Sequence, residues 1–312
     1  MANPNPIFVT GATGFIGTQL LETLTENNFS GFALVHVMPA KFQNEKISSK
    51  FVHVPGDLSF EFLASFIKAN KPKTIFHLAG VTNPNHPDLV LVNVNYLDNL
   101  IRAVEMYSPE TVIVLMSTAA VYGEGSDCKP FREEENSNPI NVYGKCKLAA
   151  ELLLKNYAAR GGKTYVARAF NVIGKYQSEN FFMSSLCKRI VDIEDNLIEG
   201  PLTIRDPDSI RDFLDVRDLA NGLIQMITKS APFGVYNFSS GLGISVRKTA
   251  EIALSLTSTK TTALDFTHSP ENPNAIKKSV GDNSKACREF DWKLQYSLKD
   301  SISNILSHYR HN

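Results

Sequence analysis

Three evenly spaced glycines, Gly11, Gly14 and Gly17, separate a short apolar run at residues 6–10 from a stretch of helical spacing that starts at Thr18. A strand that enters a helix through glycine exposes backbone at the bend. The helix start adds unpaired N–H groups and the positive end of its dipole. The turn therefore predicts a βα unit whose bend accepts a phosphate. Its spacing, G-x-x-G-x-x-G, is one residue longer in the first gap than the commonest dinucleotide fingerprint.

The same rhythm continues along the chain. Strands are predicted at 32–37, 51–54, 74–78, 111–116 and 164–168, and helices at 61–69, 89–106 and 143–160. Apolar strands alternating with helices of this length predict right-handed crossovers and a parallel sheet covered on both faces. After about residue 170 the alternation breaks. Pro201, Pro207, Pro232, Pro270 and Pro273 fall among short segments, which predicts a smaller, irregular second unit. The expected fold is α/β, a Rossmann-like doubly wound parallel sheet with a smaller C-terminal α/β domain. Its boundaries are 1–170 for the dinucleotide-binding domain and 171–312 for the substrate domain, with a return to the first at about 213–232.

Composition narrows the function. Lysine plus arginine and aspartate plus glutamate both number 32, which removes the charge argument for a general nucleic-acid binder. No apolar run reaches the roughly 18 residues of a membrane span, and no basic leader with a cleavage site opens the chain. Cys128, Cys146, Cys187 and Cys287 are scattered, with neither zinc-like spacing nor disulfide density. Reduced thiols, a cytoplasmic protein and no metal are expected.

Thr10-Gly-Ala-Thr-Gly-Phe-Ile-Gly17 resembles the N-terminal signature of the extended short-chain dehydrogenase/reductase family, the NAD-dependent epimerases and dehydratases. The resemblance continues, in family order, through Gly56-Asp57-Leu58, His77-Leu-Ala-Gly80, Asn93-Val-Asn95, Ser117-Thr-Ala-Ala-Val-Tyr-Gly123, Tyr143-Gly-Lys-Cys-Lys147, Arg168-Ala-Phe-Asn171 and Arg211-Asp-Phe-Leu-Asp-Val-Arg-Asp218. It implies a dinucleotide held by Gly11, Thr13, Gly14, Phe15, Ile16 and Gly17. Asp57 and Leu58 would stand at the adenine, and Leu78, Ala79 and Gly80 along the adenosine side. Asn93 reads as a structural asparagine, and Asp218 as a helix cap.

Tyr143 and Lys147 are four apart on one predicted helix and so share a face. A phenol of ordinary pKa about 10 is a poor acid–base at neutral pH, and a neighbouring ammonium lowers that value. The resemblance gives Lys147 a second task, holding the nicotinamide ribose. It makes Thr118 the hydroxyl that meets the reacting oxygen, with Ser117 behind it. Dehydratases of the family usually have Asp-Glu after that hydroxyl; Ala119-Ala120 stands here, which leaves a ketoreductase or an epimerase.

The second strand ends at Met38 with Lys41 beyond, and no acid stands there to repel a 2′-phosphate. The expected cofactor is NADP, with NAD the alternative. On the substrate side the resemblance assigns Asn171, Lys188 and Arg211 to the nucleotide diphosphate. Residues 280–287 and Phe290-Asp-Trp-Lys resemble the C-terminal signature of GDP-4-keto-6-deoxy-mannose reductases, which often have arginine where Asn272 stands; a CDP-, UDP- or dTDP-sugar stays open. The expected activity is reduction of a nucleotide-linked 4-keto-6-deoxyhexose, the alternative a nucleotide-sugar 4-epimerase with tightly bound NAD. A homodimer through the helices at 89–106 and 143–160 is implied.

Overall fold

The computed structural model describes residues 6–35, 45–124, 129–257, 263–268 and 276–311. Met38, Lys41, Cys128 and Asn272 lie outside them. In chain order come β1 (Ile7–Thr10), α1 (Phe15–Glu26), β2 (Gly31–Val35), α2 (Glu45–Ser48), β3 (Phe51–Pro55), α3 (Phe60–Asn70) and β4 (Thr74–His77). A π turn, Leu91–Asn95, leads into α4 (Tyr96–Tyr107), followed by β5 (Val112–Thr118), α5 (Val142–Ala159) and β6 (Lys163–Ala169). The remainder comprises β7 (Asn171–Ile173), α6 (Phe182–Glu194), β8 (Leu202–Arg205), β9 (Ile210–Asp215), α7 (Val216–Thr228) and β10 (Gly234–Phe238). Then follow β11 (Gly243–Ser245), α8 (Val246–Ser255), β12 (Leu264–Thr267), β13 (Lys278–Ser279), α9 (Ser284–Phe290) and α10 (Leu298–Arg310).

Among the described residues, seven strands form one sheet in the order β10-β6-β5-β4-β1-β2-β3, and every pairing in it is parallel. Strand order reverses between β1 and β4. The chain leaves β1 for β2 on one side, and returns through α3 to β4 on the other. A crevice opens at the carboxyl ends of such a pair, because their following loops part in opposite directions. Gly11 and Leu78 follow those two ends.

Two apolar layers enclose the sheet. Leu20, Leu21 and Leu24 of α1 and Leu219 and Leu223 of α7 cover one face. Leu63 and Ile67 of α3, Leu97, Leu100 and Val104 of α4 and Leu154 of α5 cover the other. The chain returns to the sheet through α7 and β10, and a further return comes later: Ala286, Phe290 and Trp292 join the core with residues of α7 and β10. A separate apolar cluster joins α6, α8 and α10 with Leu202 and Ile204 of β8. Short strands β11, β9 and β13 form a second sheet, with β7 paired to β9.

Asp215, not Asp218, caps α7, accepting from the Arg217 amide at 2.8 Å. Buried Asp218 instead accepts the amides of Gln295 and Tyr296 and pins the chain before α10. No helix among the described residues is long and apolar enough to cross a membrane.

Candidate active site

Gly11 follows β1 at φ +67, and a Cβ there would lie 2.5 Å from the Ala79 amide nitrogen. Only glycine lets the first strand's exit press against the exit of β4. Gly14 occupies the N-cap of α1, with no side chain bonded to the helix start. Thr13, Phe15 and Ile16 are half-buried around it and Gly14 is exposed, so the bend faces outward. Thr10 and His77, the last residues of the two strands, are joined through Oγ1 and Nδ1 at 2.9 Å. Gly80 comes against Lys147 and Asn93: a Cβ on it would lie 3.0 Å from Lys147 Nζ and 2.9 Å from Asn93 Oδ1.

Thr118 is the last residue of β5, and its hydroxyl accepts the Ala120 amide at 3.2 Å. Tyr143 lies in the first turn of α5, which Asn141 caps through the Gly144 amide at 2.7 Å. A Cβ on Gly144 would stand 2.6 Å from the Ala120 carbonyl oxygen. That close approach seats the first turn of α5 on the turn after β5 and brings the Tyr143 phenol near enough to Thr118 for the threonine to act on its protonation. One helical turn further, Lys147 is 4 % exposed and donates to the Met116 carbonyl at 3.1 Å. The Tyr143/Lys147 pair expected from spacing and the Thr118 implied by the resemblance come together at the carboxyl end of β5.

The site's electrostatics differ from the expectation of a phenol activated by lysine. Burial pushes Tyr143 up to about 12, only partly offset by Thr118. Burial also brings Lys147 down to about 8, with Glu151 and then Cys146 opposing it. His77 falls to about 3, first through burial and then through the Lys147 charge, and is neutral at ordinary pH. Desolvation is the largest effect at both groups because both leave water when α5 packs down.

Behind the trio lies a polar layer that spacing did not reveal. Ser117 donates to Glu151, whose carboxylate also accepts Arg168 Nη2 at 2.6 Å and Nε at 3.0 Å. Both members of that ion pair are 6 % exposed at the side chain. Arg168 lies over the Tyr122 ring at 4.7 Å, and the Tyr122 hydroxyl donates to Asn237 Oδ1 at 2.7 Å. The legible signal was Glu151 itself, which continues the Tyr143, Lys147 progression by four.

The cofactor-side residues divide. Asp57 is exposed, and its Oδ1 accepts the Ser59 amide and hydroxyl at 2.9 and 2.6 Å, shaping the entry to α3. Leu58 turns its side chain into the core under α3, and its carbonyl accepts from Asn99. Only its backbone is therefore placed to meet a ligand. Asn93 sits in the π turn, and its amide donates to the carbonyls of Val81 and Leu89, both at 2.9 Å. Its Oδ1, and Nε2 of His77, are buried with no hydrogen-bond partner.

A cleft of about 870 Å³ opens between α6 and the β8–β9 segment, lined by Asn171, Phe181, Arg189, Arg205, Arg211 and Phe213 among others. Arg211 donates to the backbone carbonyls of Ile210, Ile276 and Lys277. Among the described residues, no carboxylate lies within 4.0 Å of Arg189, Arg205 or Arg211. Burial moves the Arg211 guanidinium downward from its ordinary value, with Asp206 and Glu124 opposing from a distance. Asn171 donates to the Asp212 carbonyl at 3.1 Å. Lys188 is not among the cleft's lining residues; its ammonium pairs with Asp192 one turn along α6. Arg189, the next residue on the helix, does line it, because 100° of helical rotation separates their faces. The trio is not among the cleft's lining residues; Glu124, just beyond the turn after β5, accepts the Lys277 amide at 3.3 Å.

The geometry suits a nicotinamide dinucleotide. The glycine bend offers an uncapped helix start at the strand-order reversal, and the orphaned Asn93 oxygen beside Gly80 and Lys147 supplies an acceptor at its inner end.

Residues 7–238 match the model of the NAD dependent epimerase/dehydratase family. The chain is 27 % identical over 310 residues to the GDP-6-deoxy-D-mannose reductase of Pseudomonas aeruginosa, covering 96 % of both chains. It superposes with a TM-score of 0.80 on RMD from Pseudomonas aeruginosa complexed with NADPH, at 24 % identity over 98 % of this chain and 99 % of that one. It superposes with a TM-score of 0.85 on UDP-glucuronic acid 4-epimerase from Bacillus cereus, in complex with UDP-glucuronic acid and NAD, at 25 % identity over 98 % and 99 %. With its glycine bend, its parallel sheet and this match over most of its length, the chain belongs to the NAD dependent epimerase/dehydratase family.

Proposed function

We propose that this protein is an NADP-dependent reductase of a nucleotide-diphosphate-linked 4-keto-6-deoxyhexose. The observation that supports this most is the meeting of Thr118, Tyr143 and Lys147 at the carboxyl end of β5, together with a cleft whose arginines have no carboxylate within 4.0 Å among the described residues. A diphosphate provides the missing negative charge, and guanidinium groups suit its geometry. Gly11 to Gly17 and Leu78 to Gly80 would hold the dinucleotide, with Asp57 near the adenine and Lys147 at the inner ribose. Arg211, Arg189 and Asn171 would hold the sugar nucleotide.

A bound nicotinamide supplies the hydride equivalent. The chain's own groups handle the oxygen. Thr118 Oγ1 orients the carbonyl oxygen, and Tyr143 Oη donates the proton that the developing alkoxide needs. A phenol held well above neutral pH is fully protonated for that donation. The Lys147 ammonium stabilises the phenolate left behind and lowers the cost of the transfer.

The expected result is oxidation of NADPH, read at 340 nm, when a nucleotide-linked 4-keto-6-deoxyhexose is added. A thermal-shift panel of GDP, UDP, CDP and dTDP with NADP identifies the base by selective stabilisation. The second reading is a nucleotide-sugar 4-epimerase, supported by the superposition on the Bacillus cereus epimerase. Protein that purifies with stoichiometric NAD and interconverts epimers without added cofactor would replace the first reading by the second.

The dimer implied by resemblance is proposed along α4 and α5, where Met106 and Leu152 are 61 % and 52 % exposed. Light scattering behind size exclusion tests it, and a cytoplasmic location is proposed with it.

A further inference from the structure

The mechanism uses Lys147 as a cation, yet the structure surrounds that cation with almost nothing to hold its charge. It is buried and donates to one carbonyl, that of Met116. From β4 it faces His77, which burial keeps neutral. From the loop after β4 and the π turn it faces Gly80 and Asn93. From its own helix come Tyr143, a neutral phenol, and Cys146, whose thiol burial pushes up. Glu151, one turn along α5, is the carboxylate that acts on it among the described residues. Glu151 is itself held rigidly, by Ser117 of β5 and by Arg168 of β6, which lie opposite each other in the sheet register.

We infer that Glu151 is a positioning residue for the reaction, and that its buried carboxylate, fixed by Arg168 and Ser117, keeps Lys147 cationic beneath Tyr143. A buried ammonium without a nearby anion releases its proton. A carboxylate in direct contact would instead draw Lys147 into an ion pair and away from its ligand. Glu151 avoids this because its oxygens are occupied by Arg168 and Ser117. Its negative field therefore reaches Lys147 while its hydrogen bonds go elsewhere. This inference rests on the proposed role of Lys147 but is tested without it.

The test follows the Lys147 side chain by NMR in cofactor-free protein labelled with ¹³Cε lysine, the resonance assigned with Lys147→Arg. The wild-type midpoint is expected near 8. In Glu151→Gln it should fall by about one pH unit, the size typical of losing one nearby opposite charge. Because that variant strands a buried Arg168, the double variant Glu151→Gln/Arg168→Met is measured too, removing both charges at once. Its midpoint should also fall, by less than in the single variant. A midpoint that stays at its wild-type value in a folded variant overturns the inference. In the active enzyme the alkaline limb of kcat/KM should move down with the midpoint, and a limb that stays in place overturns the part of Glu151 in the reaction. If the protein reduces no nucleotide sugar while the midpoint moves, the functional reading fails and the charge relation stands.

Discussion

The reactive end buries its cations, whereas the cleft leaves Arg189 and Arg211 half-buried, and the two regions treat those charges in opposite ways. At the reactive end, Arg168 is neutralised by Glu151 within the fold, and Lys147 lies in the field of the same carboxylate. In the cleft, Arg211 donates to backbone carbonyls, with Asp206 and Glu124 acting from a distance and no carboxylate within 4.0 Å of it among the described residues. A charge that must be correct before the reaction begins is compensated internally. A charge that serves to attract a ligand is left for the ligand to complete. The first arrangement costs stability when broken, and the second costs affinity.

The largest effect expected is on turnover. Tyr143→Phe should lower kcat by roughly 10²–10⁴-fold, with cofactor affinity nearly unchanged, because the phenol acts only when the proton moves. Steady-state rates beside an NADPH fluorescence titration decide it; near wild-type turnover would remove Tyr143 from the chemistry.

The internal pair is tested by stability. Arg168→Met should cost about 3–5 kcal/mol in denaturant unfolding, since it leaves the Glu151 carboxylate buried without its cation. A loss below about 1 kcal/mol would mean that the pair is not self-contained, and the contrast with the cleft would collapse.

For the cleft the same kind of deletion should read as affinity. Arg211→Ala should raise KM for the nucleotide sugar by a factor equivalent to about 1.5–3 kcal/mol, with a smaller change in kcat. Arg211→Lys should recover part of the loss, because an ammonium cannot make the bidentate contact. An unchanged KM places Arg211 outside the site.

The smallest effect separates two adjacent residues on α6. Arg189→Ala should raise the same KM measurably, whereas Lys188→Ala should stay within about 0.5 kcal/mol in both KM and stability, as a partly exposed i,i+4 pair does. The reverse order would restore Lys188 to the cleft.

Much of the fold was legible because its signals are local. The glycine bend, the alternation of strand and helix and the i,i+4 placing of Tyr143 and Lys147 need only neighbours in the chain. The 89–106 helix was legible in place but not in kind: it opens with the π turn that turns Asn93 inward toward Val81 and Gly80. Asp218 reads as a cap from its position before a helix, yet its partners lie 77 and 78 residues away. Lys188 and Arg189 look equivalent in sequence, and only the packing of α6 against α10 and β8 selects which one reaches the cleft.

What the sequence determined by itself was therefore the alternation of strand and helix, the glycine bend and the shared face of Tyr143 and Lys147, since periodicity and turn chemistry act over a few residues. Tertiary structure alone decided the state of those groups. Burial, which depends on every element packed around a site, set Tyr143 to about 12 and Lys147 to about 8, against the simple expectation of a phenol lowered by its lysine. It also decided which charges have close partners, because Glu151 meets Arg168 across 17 residues of chain while Arg211, among the described residues, hydrogen-bonds to backbone carbonyls. Desolvation and pairing are sums over space, and a chain read in order contains the terms without their distances.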